Sequence, residues 1–200
     1  GAREPNDSKR IYLNSTSPRR KLLLEQIGID FELIHFPISE QVNDGEQPLD
    51  YVVRMSKEKA KTEIGKKGLT IGADTIVCLG DRIFGKPKSL DEAKEALKLI
   101  SGRQHVVLTS VAVFDGTRLE HVTSESKVQI KKLSSQEIED YCKTGEPLDK
   151  AGSYGIQGIG GIFVHQIKGS YSGIVGLPIF ETEQLLSQFK IDTWRGRIGL

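Results

Sequence analysis

The sequence predicts an α/β fold built on a mixed, twisted sheet with flanking helices. Three observations carry that reading. Short apolar runs suited to strands alternate along the chain with segments whose apolar residues recur at helical spacing. The most apolar run, Leu69–Leu79, is continuous enough for a buried central strand. Asp115-Gly116, between strand-like runs over 105–114 and 120–131, is a hairpin signal that makes part of the sheet antiparallel.

Taken in order, residues 1–10 are polar and predict a flexible arm before a single domain over 11–190. Ile11–Asn14 reads as the first strand and 18–27 as the first helix, stopped by Gly28. A second strand is expected over 30–38, a polar loop over 41–48, and a long helix over 49–67 with Leu49, Val52, Val53 and Ala60 on one side. Ser89-Leu90-Asp91-Glu92 has capping-box spacing and opens a helix that Gly102 stops. Ser134 to Glu137 repeats the pattern before a short helix ending near Gly145. A glycine-rich stretch over 152–176 surrounds one strand at 162–167, and Pro178 begins a last helix to about Phe189. Residues 191–200 read as a weakly specified tail.

Composition excludes several functions. A chain of 200 residues can bury a real core as one domain or as two small lobes sharing a cleft. Its 28 basic and 27 acidic residues give a net charge of +1, unlike the basic excess of a general nucleic-acid binder. Anionic ligands must then be met by local cation clusters. Cys78 and Cys142 are too few for a disulfide framework. No apolar run is long enough to span a membrane. The first ten residues lack the apolar segment of a secretion signal, so the expected setting is the cytoplasm.

The chemistry concentrates in three segments. Ser15-Thr16-Ser17-Pro18-Arg19-Arg20 puts an N-cap serine, a first-position proline and two arginines at the start of a helix. Cations there are disfavoured by about 0.3–1 kcal/mol each. Arg19 and Arg20 therefore call for an anion, most simply a phosphate, beside the helix N–H groups; a solvated helix start is the other reading. Asp74, in Gly72-Ala73-Asp74-Thr75, lies within the buried strand, where a carboxylate must be paired, hydrogen-bonded or metal-bound. It is either a structural acid or a catalytic one. Lys86 follows in the rigid turn Gly85-Lys86-Pro87. The third segment is 149–158, Asp-Lys-Ala-Gly-Ser-Tyr-Gly-Ile-Gln-Gly. Its glycines permit close backbone approach to a flat ligand or to phosphates, or else a tight structural loop. Gln157 offers a planar donor and acceptor. Lys59 belongs to a lysine-rich helix and Glu40 to a strand end, and neither stands out alone. The histidines have no zinc-ligand spacing, and there is no Walker loop or Gly-x-Ser-x-Gly elbow.

The ordered set Ser-x-Ser-Pro-Arg-Arg (15–20), Gly-Ala-Asp-Thr (72–75), Gly-Lys-Pro (85–87), Ser-Gly-Arg-x-His (101–105), the 149–158 segment and Gly-x-Val-Gly-Leu-Pro (173–178) resembles the Maf family over residues 11–189. That resemblance implies a two-lobed α/β fold shared with the inosine triphosphate pyrophosphatases. It implies a cleft enzyme that splits nucleoside triphosphates into monophosphate and pyrophosphate with Mg²⁺ or Mn²⁺, often as a homodimer. Residue by residue, it implies phosphate contacts at Ser15, Ser17, Arg19, Arg20, Lys59 and Lys86, a proton acceptor at Asp74, and metal binding at Asp74 with Glu40. Lys86 is grouped with Asp74 in the catalytic set. Arg19, Thr75 and Gln157 match positions linked to base choice in the branch that acts on dTTP and UTP. Two departures are visible: the acid pair often found near position 40 is Ser39-Glu40, and Asn14 replaces a usual Ala. Two other functions remain open: action on modified pyrimidine triphosphates, and nucleotide-binding regulation of cell division with incidental hydrolysis.

Overall fold

The computed structural model describes residues 9–199, and a mixed sheet of seven strands runs through them. The strands are β1 (Ile11–Asn14), β2 (Glu32–Ile34), β3 (Leu69–Leu79), β4 (Arg82–Phe84), β5 (Gln104–Phe114), β6 (Leu119–Ile130) and β7 (Val164–Lys168). Their order is β2-β1-β3-β5-β6-β7, with β4 also paired to β3. β1 is parallel to β2 and β3, and the other pairings are antiparallel. The helices are α1 (Pro18–Gln26), α2 (Pro48–Ala60), α3 (Leu90–Ile100), α4 (Ser135–Lys143), α5 (Tyr171–Val175), α6 (Ile179–Gln188) and α7 (Trp194–Arg197).

β3 organises the molecule, because alternate side chains along a strand face opposite sides of its sheet. On one side Ile71 and Ala73 join a core with Leu13, Leu24, Val111 and Leu186, drawn from β1, α1, β5 and α6. Farther along that side, Val77 joins a second core with Leu97, Ile100, Ile138 and Tyr141 from α3 and α4. The opposite side carries Ile76 and Cys78 into a third cluster with Val52 and Met55 of α2. Thr75 thus stands between two cores, while Asp74 faces α2.

The same strand has a gap on one edge. β1 pairs with residues 69–72 of β3, and β4 pairs with residues 77–79. Residues 73–76 have no strand beside them on that edge, and this opening becomes the floor of a cleft.

Several sequence expectations are corrected. β2 is only three residues long. The Asn14 side chain accepts from Phe36 N–H at 2.8 Å and donates to Phe36 C=O at 3.1 Å, so these bonds replace the sheet ladder beyond Ile34. The expected 49–67 helix stops at Ala60, because the chain must double back to place Leu69 beside Ile11. Thr62 and Thr70 share a hydroxyl hydrogen bond at 3.0 Å across that turn. Leu49, expected on the buried side, is exposed. β4 and α5 were not foreseen. The tail beyond 190 holds α7, whose Arg197 pairs with Glu183 of α6 at 2.5 Å. Of the expected arm, residues 1–8 lie outside the described residues; Arg10 C=O accepts from Leu69 N–H at 2.8 Å.

Candidate active site

The cleft encloses about 970 Å³, and every site residue singled out from the sequence lines it: Ser15, Ser17, Arg19, Arg20, Glu40, Lys59, Asp74, Thr75, Lys86 and Gln157. They come from six places in the chain. The gap beside β3 explains their convergence, since the loop after β1, the end of α2 and the turn after β4 all border it.

One wall of the cleft is built from the start of α1. Ser17 is the N-cap, with its hydroxyl accepting from Arg20 N–H at 3.2 Å. Ser15 Oγ accepts from Ser17 N–H at 3.0 Å and from Arg20 Nη1 at 3.3 Å. Both hydroxyls act as acceptors in these bonds, so each keeps its own hydrogen for a ligand. The helix start offers fewer backbone donors than expected. Pro18 has none, Arg20 N–H goes to Ser17 Oγ, and Lys21 N–H goes to Ser17 C=O.

The two arginines differ. Arg20 is buried, and its fork is spread over Gly176 C=O (2.8 Å), Ser15 Oγ and Thr75 Oγ1 (3.2 Å). Burial pulls its pKa below the ordinary value, with Arg19 adding to the effect and Asp74 and Glu40 opposing it. A guanidinium nevertheless stays charged. Arg19 is partly exposed, and its Nη1 lies 4.0 Å from Asp149 across the cleft. Arg19 is the loosely held cation and Arg20 the firmly held one.

Thr75 sits under Arg20. Thr109 Oγ1 donates to Gly173 C=O at 2.6 Å, which uses its only hydrogen. In the 2.8 Å contact between the two threonines, Thr75 must then be the donor. Its oxygen accepts from Arg20 Nη2. Its proton is committed to Thr109, and its oxygen helps to orient Arg20.

On the α2 side, Lys59 Nζ is 2.9 Å from Asp74 Oδ1 and 2.9 Å from Glu40 Oε1. Gly72 brings α2 this close: a Cβ there would lie 2.4 Å from Ala60 N and 2.5 Å from Ser56 O. Asn14 donates to Lys59 C=O at 2.9 Å, tying the end of α2 to the end of β1. Tyr51 donates to Glu40 C=O at 2.7 Å. Burial raises the pKa of Asp74, against the pull of Lys59 and Arg20 and with help from Glu40. Desolvation outweighs the cations present here.

Lys86 and Gln157 are exposed at the rim. Among the described residues neither side chain has a hydrogen-bond or ionic partner. Each is free to meet a ligand. The glycines near Gln157 receive a different explanation from close approach to a ligand. A Cβ at Gly158 would lie 2.0 Å from Glu146 Oε1, and one at Gly160 2.7 Å from the Tyr141 hydroxyl. They make room for the chain's own side chains, which is the structural-loop alternative. Sequence reasoning missed Glu146, Tyr141 and Thr109. Nothing in their local pattern marks them, whereas Asn14, a polar residue closing a buried strand, carried a readable signal.

A family model described as Maf-like protein matches residues 10–189. A Chromobacterium violaceum protein named dTTP/UTP pyrophosphatase is 48% identical over 191 residues, covering 92% of this chain and 96% of its own length. Proteins of the same name from Pseudoalteromonas atlantica and Escherichia coli O157:H7 are each 44% identical, over 187 and 182 residues. Both alignments cover 90% of this chain, with 97% and 92% of the respective relatives.

Proposed function

Because the chain belongs to the Maf family, we propose that it hydrolyses nucleoside triphosphates, dTTP and UTP foremost, to nucleoside monophosphate and pyrophosphate. One observation carries this reading to particular atoms. The opening beside residues 73–76 of β3 brings a buried carboxylate, Asp74, into the same cleft as Arg19, Arg20, Lys59 and Lys86.

A triphosphate brings about four negative charges, and its hydrolysis requires positioning and stabilisation of charge on the departing pyrophosphate. Arg20, already held on three sides, is a preorganised phosphate ligand with its remaining N–H groups. Arg19 leaves its loose contact with Asp149 to take a phosphate oxygen, and Lys86 closes over the tail from the opposite rim. Ser15 and Ser17 donate their free hydroxyl hydrogens. Asp74 accepts the proton of the attacking water, and its raised pKa makes it a stronger acceptor than a solvated aspartate. Gln157 pairs with the N3–H and O4 edge of uracil or thymine.

A divalent metal, Mg²⁺ or Mn²⁺, belongs to the same proposal. Glu40 and Asp74 supply hard carboxylate oxygens around a space already suited to positive charge, since both accept from the Lys59 ammonium. Among the described residues no third acidic, histidine or cysteine side chain joins them. Such a pair fits Mg²⁺, which binds through one or two carboxylates and completes its shell with water and substrate phosphates. When bound, the metal neutralises phosphate charge and acidifies a coordinated water.

Among the described residues no helix is long and apolar enough to cross a membrane. Cytoplasmic residence and a homodimer complete the proposal. Its test is a panel of canonical and modified triphosphates with and without Mg²⁺, Mn²⁺ or chelator, reading monophosphate and pyrophosphate together. Metal-dependent release of both products, fastest with dTTP or UTP, is expected. Release of inorganic phosphate, or a purine preference, would overturn it.

A further inference from the structure

Gln157 hangs over the cleft on a short loop between two 3-10 turns, Ala151–Ser153 and Ile159–Phe163, yet a base contact demands a fixed amide. The loop is tied down from one side chain. Glu146 Oε1 accepts from Ile159 N–H at 2.8 Å, and Glu146 Oε2 accepts from Gly160 N–H at 2.9 Å. The same carboxylate accepts a short hydrogen bond from the Tyr141 hydroxyl. That hydroxyl in turn accepts from Gly155 N–H at 3.1 Å. One carboxylate–phenol pair therefore satisfies the backbone donors immediately before and after the Ile156-Gln157-Gly158 apex. Tyr141 is anchored in the core by an edge-on contact with Phe163, ring centroids 5.0 Å apart. Burial tends to raise the Glu146 pKa, but hydrogen bonds from Tyr141, Gly160 and Ile159 outweigh it and hold the group below its usual range. It is a charged, acceptor-only group facing three donors.

We propose that Glu146 is the positioning residue of the base-facing loop: directly and through Tyr141, it fixes the 155–160 backbone and so sets where the Gln157 amide meets the base. The proposal rests on the reading of Gln157 as a base contact. It assigns Glu146 no contact with the phosphates and no part in bond breaking. It also gives Gly158 and Gly160 a purpose, since any side chain there would push the loop off the carboxylate.

Glu146→Gln is the informative variant, because it keeps the shape while turning one oxygen into a donor that faces other donors. The variant is expected to raise KM for UTP and dTTP about tenfold, the usual scale for a lost hydrogen bond to a charged group. Its kcat and its inhibition by inorganic tripolyphosphate, which probes the tail subsite alone, should stay within about twofold of the parent. Tyr141→Phe, which leaves Gly155 N–H without its acceptor, should shift KM in the same direction by a smaller factor. It decides the matter if Glu146→Gln does not fold. Unchanged KM values in the folded variants would overturn the proposal. So would a parallel shift in tripolyphosphate inhibition, which would mean that the whole cleft had loosened. Gln157→Ala separates this proposal from its premise. If Gln157→Ala leaves KM unchanged, the base-contact reading falls and the proposal with it. If it raises KM and Glu146→Gln does not, only the role of Glu146 falls.

Discussion

Lys59 and Asp74 meet across the joint between α2 and β3, ammonium to carboxylate at 2.9 Å, with Glu40 taking the other flank of the same ammonium. The arrangement keeps an otherwise costly buried acid in place while leaving it a second oxygen. Asp74→Asn preserves shape but removes the carboxylate proposed as proton acceptor. Turnover of UTP is expected to fall at least about a hundredfold, the common cost of losing a base, with UTP still bound. Pyrophosphate release gives kcat and calorimetry gives Kd; near-normal turnover would remove Asp74 from the chemistry.

The geometry of that pair depends on Gly72, where α2 lies backbone-to-backbone on β3. Gly72→Ala would place a methyl 2.4 Å from Ala60 N, so α2 must lift. Overpacking of this kind costs about 1–3 kcal/mol, here more toward the upper end because both neighbours are main chain. Lifting α2 also draws Lys59 away from Asp74. The expected outcome is a lower unfolding free energy in urea together with a reduced kcat, without any change to a side chain that touches substrate.

Arg19 and Arg20 are adjacent in sequence and unequal in structure. Arg20→Lys loses the planar fork shared among Gly176 C=O, Ser15 and Thr75, and should lower stability by about 2–3 kcal/mol. Arg19→Lys, at a partly exposed site, should change stability by less than about 0.5 kcal/mol. Both variants should weaken triphosphate binding. Urea unfolding of the two proteins side by side checks the asymmetry.

His105 gives the fold an acid limit. It is fully buried, its Nε2 lies 2.7 Å from the Tyr154 hydroxyl, and burial lowers its pKa from 6.5 to about 4. Between those values the unfolded chain binds a proton that the folded chain refuses. Stability from this group is complete above about pH 6.5 and is lost as pH falls toward 4, by roughly 3 kcal/mol in all. Unfolding free energies measured across pH 4–8 should show that slope, and His105→Gln should flatten it.

Much of this molecule is readable from its residues alone. The Ser17 cap, the Ser134–Glu137 capping box and the full extent of β3 follow from local pattern, and each is found as expected. Eight of the ten site residues were legible through ordered motifs, Glu40 and Lys59 only through the family resemblance, and the cleft gathers all of them. What stayed hidden depended on distant partners. β2 ends early because Asn14, 22 residues away, captures Phe36. α2 stops because Leu69 must reach β1. The glycines around Gln157 fit either a ligand or a neighbouring side chain, and only the position of Glu146 decides between them. Thr75 read as a base contact by resemblance, but the direction of its hydrogen bond emerges only once Thr109 and Gly173 stand beside it.

β3, β5 and β6 each run 11 or 12 residues and pass without a break beneath both cores. They form a shared spine, and turning one half of the molecule against the other would shear two long ladders at once. The jaws of this enzyme are therefore set at a fixed gape. Accommodation of different nucleotides falls to side chains hung on the spine, namely the partly exposed Arg19 and the exposed Lys86 at the rim.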